Sequence, residues 1–197
     1  MSTNKQQLLY HKISGSGPTV VLLPGMFGSS RYWTETVEEL HERGKSTLTI
    51  DLLGFGRSPK PRKSDYTFAS HTKAIFDVLD SYKLQGPVTI VGVSMAAVLI
   101  VDLIRQRPDY FQKAVYISPM IFSNPTIAEE LSYRTGNIGP FLRTKPVAWF
   151  VCHTVCEIKP LARFTYRMVD TNNQPRDIVD DATLHNWQSY SKSFKNI

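Results

Sequence analysis

Cysteine is scarce in this chain of 197 residues, which has only Cys152 and Cys156. Two thiols four positions apart in a helical pattern make neither a disulfide framework nor a zinc site. They are expected to be buried, reduced side chains on one helix face. Long apolar runs are absent too. The most hydrophobic stretch, Met95 to Ile104, is too short to span a membrane and contains Asp102. The N-terminal Met1-Ser2-Thr3-Asn4-Lys5-Gln6-Gln7 is polar and lacks the apolar segment of a signal peptide. Charge of one sign does not dominate: Lys and Arg number 23 against 17 Asp and Glu, a net +6 with no basic face or tail. Beyond the short cluster Arg57, Lys60, Arg62 and Lys63, nothing suggests a nucleic-acid partner. Hydrophobic residues at 42% exclude a disordered chain. The expectation is a cytoplasmic globular protein without metal, cofactor or membrane span.

What is present is an alternation of strand and helix patterns. Leu8 to Lys12 reads as a short edge strand, and Thr19-Val20-Val21-Leu22-Leu23 as a strand buried on both faces. Trp33 to Leu40 has helical spacing, and Thr47 to Asp51 is the next strand. Phe68, Thr72, Ile75, Phe76 and Leu79 share one helix face. Val88 to Val91 is a third buried strand, Ser94 to Arg107 an apolar helix, and Ala114 to Ser118 a fourth buried strand. This order predicts an α/β fold with a doubly wound, mostly parallel sheet. After residue 120 no Val/Ile-rich strand follows. Four helical patterns take over, at Thr126–Arg134, Pro140–Cys156, Lys159–Val169 and Ile178–Phe194. The expected division is a core over 1–120 and a helical cap or lid over 121–197.

Gly92-Val93-Ser94-Met95-Ala96 falls between the third buried strand and its helix. A serine on such a turn points its hydroxyl out of the sheet only if small residues flank it two positions away, as Gly92 and Ala96 do. The free N–H groups of the following helix would then favour developing negative charge. The competing reading is a serine that merely caps the helix.

With these residues in view, the sequence resembles the α/β-hydrolase superfamily, in particular its serine hydrolases with a helical cap. Leu22-Leu23-Pro24-Gly25-Met26-Phe27-Gly28-Ser29-Ser30 is similar to the family's oxyanion-hole loop. Asp51-Leu52-Leu53-Gly54-Phe55-Gly56-Arg57-Ser58-Pro59 is similar to the loop after the next strand, and Val91 to Ala96 to the nucleophile elbow. Pro24, Val93 and Ala96 depart from residues frequent in the family. The resemblance covers residues 8–120 well and 121–197 in general character. It implies Ser94 as nucleophile and the backbone N–H groups of Met26 and Met95 as oxyanion donors. It also implies hydrolysis of an ester or related acyl bond. Gly54-Phe55-Gly56 lacks the third glycine and the helix of a dinucleotide loop, so Asp51 and Arg57 are expected to brace a tight turn. Phe27, Met120 and Phe122, with Met26 and Met95, would ring the site and suit a small apolar acyl or alkyl substrate.

A serine needs a base, and the base an orienting acid. Beyond Ser94 the histidines are His153, beside Cys152 on an apolar helical pattern, and His185, with Asp180 and Asp181 a turn before it. His153 is expected to pack in the core and His185 to make a helix-surface contact. Neither is expected within hydrogen-bond reach of Ser94. The acid and histidine strands that the family places after the cap have no counterpart before Ile197, so the core is expected to be truncated after the cap. Two functions stay open: a serine hydrolase, or a catalytically incomplete fragment or non-catalytic subunit that needs a second chain. In the second case the strand at Ala114–Ile117 would present an apolar edge. Self-association or a complementing C-terminal chain is then expected.

Overall fold

In the computed structural model, which describes residues 7–82, 84, 87–121, 124, 149–150, 158–169 and 175–196, the β-branched runs form one five-stranded sheet. β1 is His11–Ser14, β2 Thr19–Leu23, β3 Ser46–Ile50, β4 Val88–Val93 and β5 Phe111–Ile117. Their spatial order is β1-β3-β2-β4-β5. β1 pairs antiparallel with β3, and the other neighbours run parallel. The expected α/β fold is thus present, with β1 as its antiparallel edge.

The helices between the strands are α1 (Thr34–Glu42), α2 (Phe68–Ser81) and α3 (Met95–Gln106). A 3-10 turn over Ser30–Trp33 precedes α1, with Ser29 Oγ accepting the Arg31 N–H at 3.2 Å as its cap. Trp33 therefore ends this turn instead of opening α1, and buries its ring with Val20 and Leu22 on one sheet face. The larger core lies on the other face, where Val21, Leu23, Leu48, Ile50 and Ile90 meet α2 and α3 through Ile75, Leu79, Leu99 and Leu103.

β2 and β3 are buried as their composition requires. β5 is not, which corrects the reading of Ala114–Ser118 as a buried strand. Phe111 is buried, whereas Val115, Tyr116 and Ile117 are exposed. Among the described residues β5 pairs with β4 alone. Its Ala114–Ile117 part has the composition of an interior strand, but β5 stands at the edge, with Gln112 and Lys113 exposed before that run.

The described C-terminal residues include α4 (Lys159–Val169), α5 (Arg176–Ala182) and α6 (Trp187–Asn196). α4 coincides with one expected helical pattern. The pattern expected over Ile178–Phe194 is interrupted at Thr183–Asn186. Asn186 Oδ1 accepts the Ser189 N–H at 2.8 Å, and Ser189 Oγ accepts the Asn186 N–H at 3.1 Å. This reciprocal pair is a capping box that starts a new helix. The patterns at Thr126–Arg134 and Pro140–Cys156 lie outside the described residues, apart from Trp149 and Phe150, which are helical.

Candidate active site

Parallel register sets the geometry. Leu22 is paired with Val91 and Leu23 with Gly92, so β2 and β4 end side by side. The chain leaves β2 toward β3 on one side and reaches β4 on the other. The crevice beyond these two carboxyl ends is the sheet's topological switch point, where open α/β folds place ligands.

Ser94 sits in that crevice, between the last residue of β4 and the first of α3. Its backbone is at φ 54°, ψ −118°, a conformation that L residues rarely adopt. The Ser94 N–H donates to Ile117 O at 2.9 Å, tying the turn to β5. Its side chain makes no capping bond, so the helix-cap alternative does not hold. The tightness of the turn explains the small residues around it. A Cβ on Gly92 would lie 2.7 Å from Ile100 Cδ1 and 2.9 Å from the Ala96 carbonyl carbon. A Cβ on Gly25 would stand 3.3 Å from Ser94 Cβ, which brings the loop after β2 directly against the serine.

That loop is a reverse turn, closed by the Gly28 N–H donating to Gly25 O at 3.0 Å. Phe27 occupies its third position at φ 66°, where a turn of this shape ordinarily takes glycine or asparagine. Positive φ at non-glycine residues occurs at Phe27, Tyr66, Ser94 and Ser118 among the described residues. Three of the four follow the carboxyl ends of β2, β4 and β5. Strain of this kind gathers where a fold holds a functional geometry. The N–H groups of Met26 and Met95 take no acceptor among the described residues.

The neighbouring loop after β3 is rigid, with Asp51 as its hub. Asp51 Oδ1 accepts the Ser30 N–H at 2.5 Å, Oδ2 accepts the Arg57 N–H at 2.9 Å, and Ser58 Oγ donates to the Asp51 carbonyl at 2.6 Å. Burial pushes the Asp51 carboxyl above the usual carboxylate range, against the pull of those amides. Asp51 and Arg57 are therefore braces, as expected. They join the loops after β2 and β3.

The residues around Asp181 and His185 do what no local pattern announced. Asp181 is buried, accepts from Ser29 Oγ at 2.6 Å, and lies 3.5 Å from Arg31. Asp180 instead meets Arg167 of α4 at 2.8 Å. His185 lies between α5 and α6 and is buried, which corrects the expected helix-surface contact. Its ring stands 4.8 Å from that of Phe27, and Tyr190 of α6 flanks Phe27 at 5.7 Å. A carbonyl can only accept, so the 2.9 Å contact with Ala182 O puts the proton of His185 on Nδ1. α5 and α6 are thus fastened over the loop that touches Ser94.

Of the other expected site residues, Met120 is exposed, and Met95 is buried in the core, which corrects the expectation that its side chain helps ring the site. Phe122, His153, Cys152 and Cys156 lie outside the described residues. Among the described residues no histidine hydrogen-bonds Ser94: His11, His41, His71 and His185 all have other partners. No group of three or more His, Cys, Asp or Glu there could hold a metal ion, and no helix there is long and apolar enough to cross a membrane.

A mostly parallel sheet wound on both sides, with a strained serine at its switch point, defines the architecture of an α/β hydrolase. Residues 18–196 match the family described as alpha/beta hydrolase fold, and the chain belongs to it. It is 26% identical over 198 residues to a probable lysophospholipase, BODYGUARD 4 of Arabidopsis thaliana, covering 95% of this chain and 47% of that protein. It is 29% identical over 150 residues to a putative carbamate hydrolase, RutD of Pseudomonas savastanoi, covering 73% of this chain and 57% of that one. An esterase structure from Exiguobacterium antarcticum superposes with a TM-score of 0.67 at 17% identity, over 95% of this chain and 68% of that one. The chain thus spans about half the length of the curated relatives it matches.

Proposed function

We propose that Ser94 is the nucleophile of a hydrolase acting on an ester or related acyl bond. The observation that carries this is the positive-φ turn. It holds an uncapped serine hydroxyl at the switch point, beside two amides that take no acceptor among the described residues. Ser94 Oγ would bond to the acyl carbon while its proton passes to a base. The carbonyl oxygen would take the negative charge and accept from the Met26 and Met95 N–H groups. Collapse would expel the leaving group, and water would release the acid and restore the serine. One such donor contributes about 10²–10³ in rate. Residues 121–197 are read as the cap. The substrate is read as a small apolar acyl or alkyl compound, since Met26 and Phe27 follow Gly25 on the loop against Ser94 and Met120 follows the carboxyl end of β5.

A second reading has its own support. Among the described residues no histidine hydrogen-bonds Ser94, and in this reading the base and its acid are supplied by a second chain. Ester hydrolysis assays distinguish the two. Turnover by the 197-residue chain, abolished by Ser94→Ala, supports the first. Turnover that appears only with an added C-terminal hydrolase segment supports the second. Activity indifferent to Ser94→Ala in both settings contradicts either.

A further inference from the structure

His71 on α2 is a wholly buried titratable group that the proposed reaction does not use. Its Nε2 stands 3.3 Å from Ser193 Oγ on α6, and its Nδ1 is buried with no hydrogen-bond partner. Two further contacts seat α6 on the loop before α2: Lys192 Nζ donates to Ser64 O at 2.6 Å, and Asn196 Nδ2 donates to Asp65 O at 2.8 Å. The same helix carries Tyr190 onto Phe27. One ten-residue helix therefore links His71 to the loop against Ser94.

We propose that α6 is a lid latched by neutral His71, and that proton uptake by this imidazole in the lifted state progressively weakens the latch as the solution turns acid and uncovers Phe27. The inference deepens the proposed function by giving the cap a control, yet its test does not depend on Ser94 being catalytic. An imidazolium has two N–H donors to satisfy. Among the described residues the pocket offers the Ser193 hydroxyl to one and nothing to the other. The groups facing the ring are few. From the loop before α2 come Asp65, which already accepts from Ser70 and Thr67, and Tyr66, whose ring lies 6.3 Å away and whose hydroxyl donates to Pro61 O. From α6 come Ser193 and Lys192, whose ammonium is held at Ser64 O. Burial pushes His71 down to about 4, and the Asp65 carboxylate opposes this only in part.

The direction follows from proton linkage. With α6 docked, His71 is neutral down to about pH 4. With α6 lifted, it returns toward the ordinary value of about 6.5 and binds a proton more readily. Docking therefore weakens as the pH falls below about 6.5, by at most about tenfold per unit, and levels off near the docked value.

Hydrogen exchange on the intact chain reads this directly. Between pH 7.5 and 5.5, after correction for intrinsic rates, the amides of residues 187–196 should lose up to about tenfold protection relative to those of α3. His71→Phe should remove that difference. No differential loss in the wild type, or the same loss in the variant, overturns the proposal. Should His71→Phe fail to fold, titration of the His71 ring by NMR in the wild-type chain decides. A midpoint near 4 supports the latch, and one near the ordinary value overturns it. Either failure leaves the reading of Ser94 untouched, because that is tested separately by turnover and its loss in Ser94→Ala.

Discussion

At the scale of single residues, the site is governed by where side chains are missing. Gly92 leaves room for Ile100 and Ala96 of α3, and Gly25 leaves room for Ser94. The glycine-x-serine-x-alanine spacing made the first of these legible from sequence, because the crowding arises within five consecutive residues. The second depends on β2 and β4 being neighbours in register, which spacing along the chain does not show. Adding a methyl at Gly92 forces Ile100 and the Ala96 backbone apart. Gly92→Ala should therefore destabilise the chain by about 1–3 kcal/mol, as overpacking does. Urea unfolding measures this, and an unchanged midpoint would mean the turn is looser than its contacts indicate. Asp51 was legible as a brace from the glycine-rich loop beside it. Its role in holding the Ser30 amide, twenty-one positions earlier, was not.

At the scale of elements, strand runs and helix faces were easy to read, because burial writes its period into the sequence. β2 and α4 fall on their expected bounds. The break at Thr183–Asn186 was missed because the apolar pattern continues across it. The Asn186-x-x-Ser189 capping pair was the available signal. The placement of Asp181 and His185 had no local signal, since their partners Ser29 and Phe27 lie more than 150 positions away. Asp181 is the buried tether of α5. Asp181→Ala leaves the Ser29 hydroxyl without its acceptor and should cost about 1–3 kcal/mol. Asp181→Asn keeps an acceptor oxygen and should cost less. Urea denaturation of the two variants checks the order, and equal losses would assign the effect to the Arg31 charge pair instead.

At the scale of the whole molecule, β5 is the feature in tension with its own composition. Val115, Tyr116 and Ile117 are exposed on a strand that pairs on one side only among the described residues. Apolar edges of this kind template association unless a charge interrupts them, and the one charge of β5, Lys113, lies before the run Ala114–Ile117 and not within it. The purified chain should sediment as a concentration-dependent mixture, and Tyr116→Lys should shift it toward monomer. A wild-type monomer at all concentrations would show that the edge is covered.

The central claim is that the fold holds Ser94 as a reactive nucleophile, and serine-directed labelling tests it most directly. The chain is exposed to a fluorophosphonate, and the modified residue is located by peptide mass spectrometry. The oxyanion donors and binding alone sustain roughly 10³–10⁴-fold acceleration over water in sites lacking a triad member. A slow but selective adduct on Ser94 is therefore the predicted result, lost in Ser94→Ala and quickened when a base-bearing segment is supplied. An adduct spread over other serines, or none on Ser94 in either setting, would contradict the claim.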